Sequence, residues 1–203
     1  MRVAVVLVGL VFGACQDDVA TPFPEGLGPL EDNIVPDGDL AEGLRSRTPS
    51  TDPVRVHGRG FIEAAPDVVW ELTKQPAAMV ARCSTNEQRI TPDTEPAYEF
   101  SFSVHYVVHD ILTVEWDDAW RYGQGTPELG MIRHQKVQGS DFIELSTGTV
   151  QVLATDDPAW TEVAFVEHLE AVSGTADDVL EGMQANYEAL VALAHGRSIP
   201  ACP

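Results

Sequence analysis

Basic side chains are scarce in this chain: 12 Lys and Arg stand against 32 Asp and Glu, for a formal net charge of −20. A surface of that sign repels phosphate backbones and anionic bilayers, which excludes nucleic acid as a partner. The imbalance is general, because residues 16–53 carry a net −7 and residues 54–203 a net −14. Cysteine is scarce as well. Cys15, Cys83 and Cys202 are too few and too scattered for a disulfide framework or a zinc site. No glycine loop of the phosphate-cradling kind is present, and no serine sits in a Gly-x-Ser-x-Gly turn. No apolar run reaches the ~20 residues that a membrane-crossing helix needs. These absences leave no cofactor and no metal to expect.

What is present starts at the N-terminus. Met1 and Arg2 precede the apolar run Val3–Phe12, which leads into Gly13-Ala14-Cys15-Gln16. A run of this length followed by small residues fits a signal peptide; the competing readings are an ordinary secretory signal or a buried N-terminal strand. The segment resembles a lipobox, in which a Cys after two small residues becomes diacylated. Phe12 departs from the aliphatic residue usual there. The resemblance implies a signal peptide over residues 1–15, lipidation of Cys15, and a protein held on the bacterial cell envelope by its acyl chains. Gln16 after the Cys, in place of Asp, points by the same resemblance to the outer membrane. With Cys15 consumed, Cys83 and Cys202 form an even pair that an oxidising compartment allows to bridge, pinning the C-terminal tail. Two free thiols in the denatured, unreduced protein would exclude that bridge.

From Asp17 to Pro53 the chain is dense in Pro, Gly, acids and hydroxyls, and its few apolar residues follow no period of two or of 3.6. Residues 16–53 read as a disordered tether with a reach of ~35 Å. A single domain is expected over 54–197, with 198–203 as a tail. Val54–Ile62 alternates as a strand. Pro66, Asp67, Val69, Trp70 and Leu72 then supply the first turn and apolar face of a helix, and a second short helix fits Pro76–Arg82. Tyr98 to Val108 alternates apolar with polar, as do 111–122, 131–137, 142–154 and 160–171. A long final helix is marked by an N-cap at Thr175, Asp177 and Asp178 in its first turn, and Gly196 after its end.

That order of elements, with Ala64-Ala-Pro-Asp-Val-Val-Trp-Glu-Leu72 after the first strand and Glu167-His-Leu-Glu170 before the final helix, resembles the START-like superfamily. Its members include polyketide cyclases and lipid-transfer domains. The resemblance implies an α+β helix-grip fold: a curved antiparallel sheet around a long C-terminal helix, with two short helices after the first strand. It also implies a cavity between sheet and helix for a hydrophobic or amphipathic small molecule. On inward strand parity and helix face, the wall candidates are Phe100, Phe102, Val104, Tyr106, Trp116, Trp120, Tyr122, Met183, Tyr187 and Leu190. Plain core is the commoner fate of any single one, and Met183 and Tyr187 are the strongest ligand-facing candidates, because adaptable Met and amphipathic Tyr suit a ligand-facing helix. His105 and His109 lie ~13 Å apart on one strand face, too far to share a metal. Asp117 and Asp118 point to opposite faces and read as solvated surface acids, while Glu115, His105 and His134 are the residues an enzyme of the cyclase or dehydratase kind would recruit. A monomer that binds a small molecule is the reading adopted. The alternatives are that enzyme, or an interaction lipoprotein whose cavity its own aromatic side chains fill.

Overall fold

The computed structural model describes residues 18–202 except 82, 94, 110–111 and 127–128. The expected signal peptide and the expected lipidation site Cys15 lie outside the described residues. The elements run β1 (Gly43–Thr51), β2 (Val54–Ile62), α1 (Pro66–Thr73), α2 (Pro76–Met79), β3 (Glu87–Asp93), β4 (Phe100–His109), β5 (Thr113–Thr126), β6 (Leu129–Gly139), β7 (Ile143–Ala154), β8 (Thr161–Ala171) and α3 (Ala176–Ala194). All eight strands join one antiparallel sheet in the order β1-β2-β8-β7-β6-β5-β4-β3. No described helix is long and apolar enough to cross a membrane.

Strand alternation sends one set of side chains to the concave face, where the helices lie. Val56, Phe102, Trp120, Tyr122, Ile132, Val150 and Phe165 form that face, and α3 lays Met183, Tyr187 and Leu190 onto it at helical spacing. Burying one such side chain contributes ~2 kcal/mol, so this seam dominates the stability of the grip. The start of α3 is fixed by a capping box. The Thr175 hydroxyl accepts from the Asp178 N–H at 3.2 Å, and the Asp178 carboxylate accepts from the Thr175 N–H at 2.9 Å. Pro66 opens α1, and the buried Trp70 donates its indole N–H to Glu99 at 3.1 Å. Cys83 and Cys202 are bonded to each other, Cα atoms 5.3 Å apart, which ties the tail to the segment ahead of β3.

Residues 16–53 depart from the tether expectation wherever the structure describes them. Gly43–Thr51 is an edge strand on β2. Ahead of it, residues 18–37 form a strap laid on the sheet. β7 pairs with β6 only from Leu129 to Gln135, which leaves the carbonyls at the end of β6 open. The strap fills that gap: Val19 N–H donates to Gly139 and Thr21 N–H to Val137, at 2.9 and 2.8 Å. It then crosses the convex face, where Phe23 packs edge-on against Tyr98 beneath the Arg121 guanidinium. Further on, the Asn33 amide donates to the carbonyls of Gly58 and Phe165 on β2 and β8, and Val35 is buried. These contacts are made by backbone groups and single side chains at irregular intervals. That is why no hydrophobic period announced them.

Candidate functional site

A cavity of about 400 Å³ lies between the concave sheet and the first half of α3. It occupies the end of the grip where the β4–β5, β6–β7 and β8–α3 connections gather. Met79, Val108, Val114, Phe142, Ile143, Leu169 and Val179 supply its apolar wall, and the exposed Ser84, Ser173 and Asp178 mark its mouth. Of the wall candidates named from sequence, Tyr106, Trp116, Trp120 and Met183 line it. Phe102, Val104, Tyr122, Tyr187 and Leu190 are packed core instead, and Phe100 lies partly buried against them. Parity puts a residue on the correct face but does not say how far along that face the packing closes. Tyr187 shows the difference. Its hydroxyl donates to the Phe61 carbonyl at 2.6 Å and accepts from the Gly43 N–H at 2.7 Å, so it ties β1 and β2 to the helix.

The chemistry of the cavity comes from Asp118, His134 and Glu167, ionisable groups of its sheet wall that sit on three different strands. His134 Nε2 pairs with Glu167 at 2.9 Å, its Nδ1 lies 3.9 Å from Asp118, and its ring stacks on Trp120 with centroids 4.4 Å apart. Gly148 makes room for this pair, because a Cβ there would collide with both Glu167 and His134. Burial pushes the Asp118 carboxyl up to about 7, with Glu167 and Asp117 adding to the effect and His134 opposing it. Burial works against the charged form of His134 too, but the charges of Glu167 and Asp118 outweigh it and hold the imidazole pKa above its ordinary value.

The expectation of a solvated Asp118 is therefore corrected: its side chain is buried in the cavity wall. The signal was available, since Asp118 falls between Trp116 and Trp120 on the inward parity; Glu167 falls likewise between Phe165 and Leu169. His134 is the one acid–base candidate that reaches the cavity. His105 lies on the outer face with Nδ1 at 2.9 Å from Asp117, and Glu115 is exposed 3.7 Å from its Nε2.

Five buried polar atoms on the cavity wall lack a hydrogen-bond partner among the described residues. They are Asp118 Oδ1, His134 Nδ1, Asn186 Oδ1 and the indole nitrogens of Trp116 and Trp120. The two indoles approach Asp118 and Tyr106 but fall outside hydrogen-bond geometry. Buried polar groups are ordinarily paired, and an unpaired one costs ~1–3 kcal/mol. Four belong to the sheet and Asn186 to α3, and all five atoms are occluded within the wall behind the cavity surface.

A second cluster, Glu31 with His57 and His168, has the residue types of a metal site. Its hydrogen bonding says otherwise. The Ile34 N–H donates to His57 Nδ1 at 3.1 Å, so Nε2 carries the proton and donates to Glu31 at 2.8 Å, leaving no lone pair there for an ion. His168 Nε2 meets the same carboxylate oxygen at 2.9 Å. Burial raises the Glu31 pKa, but the bonds from His168 and His57 outweigh it and hold the carboxyl below its usual range. The cluster clamps the strap onto β2 and β8. Sequence reasoning missed it because its three members are scattered over 137 positions.

No family model matches the sequence, and no curated protein matches it. Solved structures do. A STAR-related lipid transfer protein from Xanthomonas axonopodis superposes with a TM-score of 0.52 at 14% identity, covering 78% of this chain and 97% of that one. Human STARD10 gives a TM-score of 0.52 at 6% identity, covering 78% of this chain and 74% of its own. The curved antiparallel sheet, the two short helices after β2 and the long closing helix of this chain are the START-like helix-grip fold.

Proposed function

We propose that this protein binds an amphipathic small molecule in the helix-grip cavity. An apolar body lies against Trp116, Val114 and Met183, and a neutral or cationic polar group meets Asp118, His134, Asn186 and the two indoles. The observation that carries this reading is the cavity lining itself, a largely apolar wall with Asp118, His134, Glu167 and Asn186 gathered at one part of it. A volume of about 400 Å³ falls in the range of small-molecule sites. The sign of the polar group follows from charge. Among the described residues no Lys or Arg lines the cavity, while Asp118, Glu167 and Asp178 do, and their charge disfavours a carboxylate or phosphate head. The lipid-transfer description of the Xanthomonas protein is consistent with such cargo. In the same reading the chain is a bacterial envelope lipoprotein held by Cys15, and the Cys83–Cys202 bond suits the oxidising compartment this requires.

The test is native mass spectrometry of the protein purified from a bacterial host, with denaturing extraction of whatever is released. A stoichiometric neutral or amine-bearing amphipath, lost in Trp120→Ala, is the expected result. A carboxylate or phosphate ligand, or a cavity that stays empty when incubated with a panel of neutral and cationic amphipaths, would refute the proposal.

One observation favours a second reading, acid–base catalysis of the cyclase or dehydratase kind. Asp118 titrates near neutrality beside a histidine, as a proton-transferring group requires. In that case incubating the extracted molecule with the protein would change its mass, and Asp118→Asn would abolish the change without abolishing binding.

A further inference from the structure

We propose that the cavity mouth is held against a zwitterionic lipid bilayer, with Val19, Leu112 and Val172 as the contact residues. This rests on the reading of Cys15 as the lipid-bearing residue. A free tether of ~35 Å would let the domain take any orientation above the membrane. The strap removes that freedom. Its first described residue, Asp18, already bridges to Ser140 and accepts a hydrogen bond from the Gln138 amide at 2.9 Å. Three peptide steps separate Cys15 from Asp18, and they span at most ~11 Å. The acyl chains therefore attach beside the β6–β7 turn.

That turn is part of the mouth end. Gly139, at φ +118, makes the bend, and a side chain there would collide with the Trp116 backbone. Ser140 Oγ then accepts from the Phe142 N–H at 3.1 Å, and the Phe142 carbonyl accepts from the Val172 N–H at 2.9 Å. The Ser140 N–H donates to the backbone carbonyl of Glu115, three residues beyond Leu112. Phe142 and Ile143 line the cavity. Six large hydrophobic residues are exposed among the described ones, and three of them sit here: Val19, Leu112 and Val172, the last 77% exposed. Exposed apolar side chains gathered around a short lipidated leash are a bilayer contact. The acids on the same turns, Asp18, Asp141, Asp177 and Asp178, set the lipid class, because an anionic surface would repel them. Cargo would then pass between bilayer and cavity without crossing bulk water.

The experiment uses the full chain made with its signal peptide and reconstituted into phosphatidylcholine vesicles. Single-cysteine variants Leu112→Cys, Val172→Cys and Val68→Cys, the last on α1, carry a polarity-sensitive fluorophore. Lipids with a shallow spin label are the quencher. Quenching at 112 and 172 several-fold stronger than at 68, reduced when phosphatidylserine is added, supports the proposal. If the purified chain lacks the diacylglyceryl mass on Cys15, the anchoring reading fails and the orientation falls with it. A lipidated, vesicle-bound chain whose labels at 112 and 172 are quenched no more than the one at 68 overturns the orientation alone.

Discussion

Asp118→Asn tests whether the cavity holds a carboxyl that resists ionisation. In the folded protein the group titrates at about 7, against an ordinary value of 3.8. A folded-state pKa raised above the unfolded one contributes stability that is fully present below the unfolded value and is lost as pH rises through the folded one. A shift of this size corresponds to ~4 kcal/mol, of which about 3 kcal/mol falls between pH 5 and pH 8.5. Asparagine keeps the shape of the neutral acid and cannot ionise. The variant should therefore gain on the parent protein as pH rises, the gap widening by ~3 kcal/mol between pH 5 and 8.5. His134 titrates in the same sense, because its pKa is also raised; without the Asp118 charge that rise is smaller, which widens the gap further as pH rises. Urea unfolding followed by far-UV circular dichroism at a series of pH values reads the difference, provided the m-value is unchanged. A gap that stays constant across the range, or that closes as pH rises, would mean Asp118 is ionised and stably paired throughout, and the argument from burial would fail.

Gly148→Ala should push Glu167 and His134 apart, costing ~1–3 kcal/mol of stability and lowering cargo retention in native mass spectrometry, whereas Gly28→Ala, at an exposed position with open space around it and away from the cavity, should leave retention unchanged. Glu31→Gln should raise hydrogen–deuterium exchange across residues 18–37 while the amides of β6 and β7 stay protected. The same loosening should appear in the parent protein as pH falls through the lowered Glu31 pKa, below 4.5, where the carboxylate that holds both histidines is lost. Thr175→Ala removes the α3 cap and should cost ~1 kcal/mol, read as a lower Tm, without shifting the pH dependence assigned to Asp118.

The element order and the fold class were legible in the chain's own residues. Hydrophobic alternation over β4 to β8, Pro66 at the head of α1 and the Thr175 cap on α3 are local signals, each written within a few residues and enforced by backbone hydrogen bonding and burial. Strand alternation also set which side chains face inward, so the parity that named Trp116 and Trp120 already contained Asp118 between them. Where the concave face is filled and where it stays open depends on how the helices pack across it, which no local pattern encodes. Phe102, Tyr122 and Leu190 are packed into the closed part, where Trp70 of α1 lies against Tyr122, the Tyr122 hydroxyl donates to the Thr73 carbonyl and Phe102 packs on the same ring, while Tyr106, Trp116 and Trp120 border open space. Tertiary pairing alone brought Asp118, His134 and Glu167 together, since strands distant in the chain become neighbours only through sheet register. And tertiary contacts alone turned residues 18–51 from apparent linker into strap and edge strand. Their order comes from open carbonyls on β6 and from partners on β2 and β8, none of which is encoded in the segment itself.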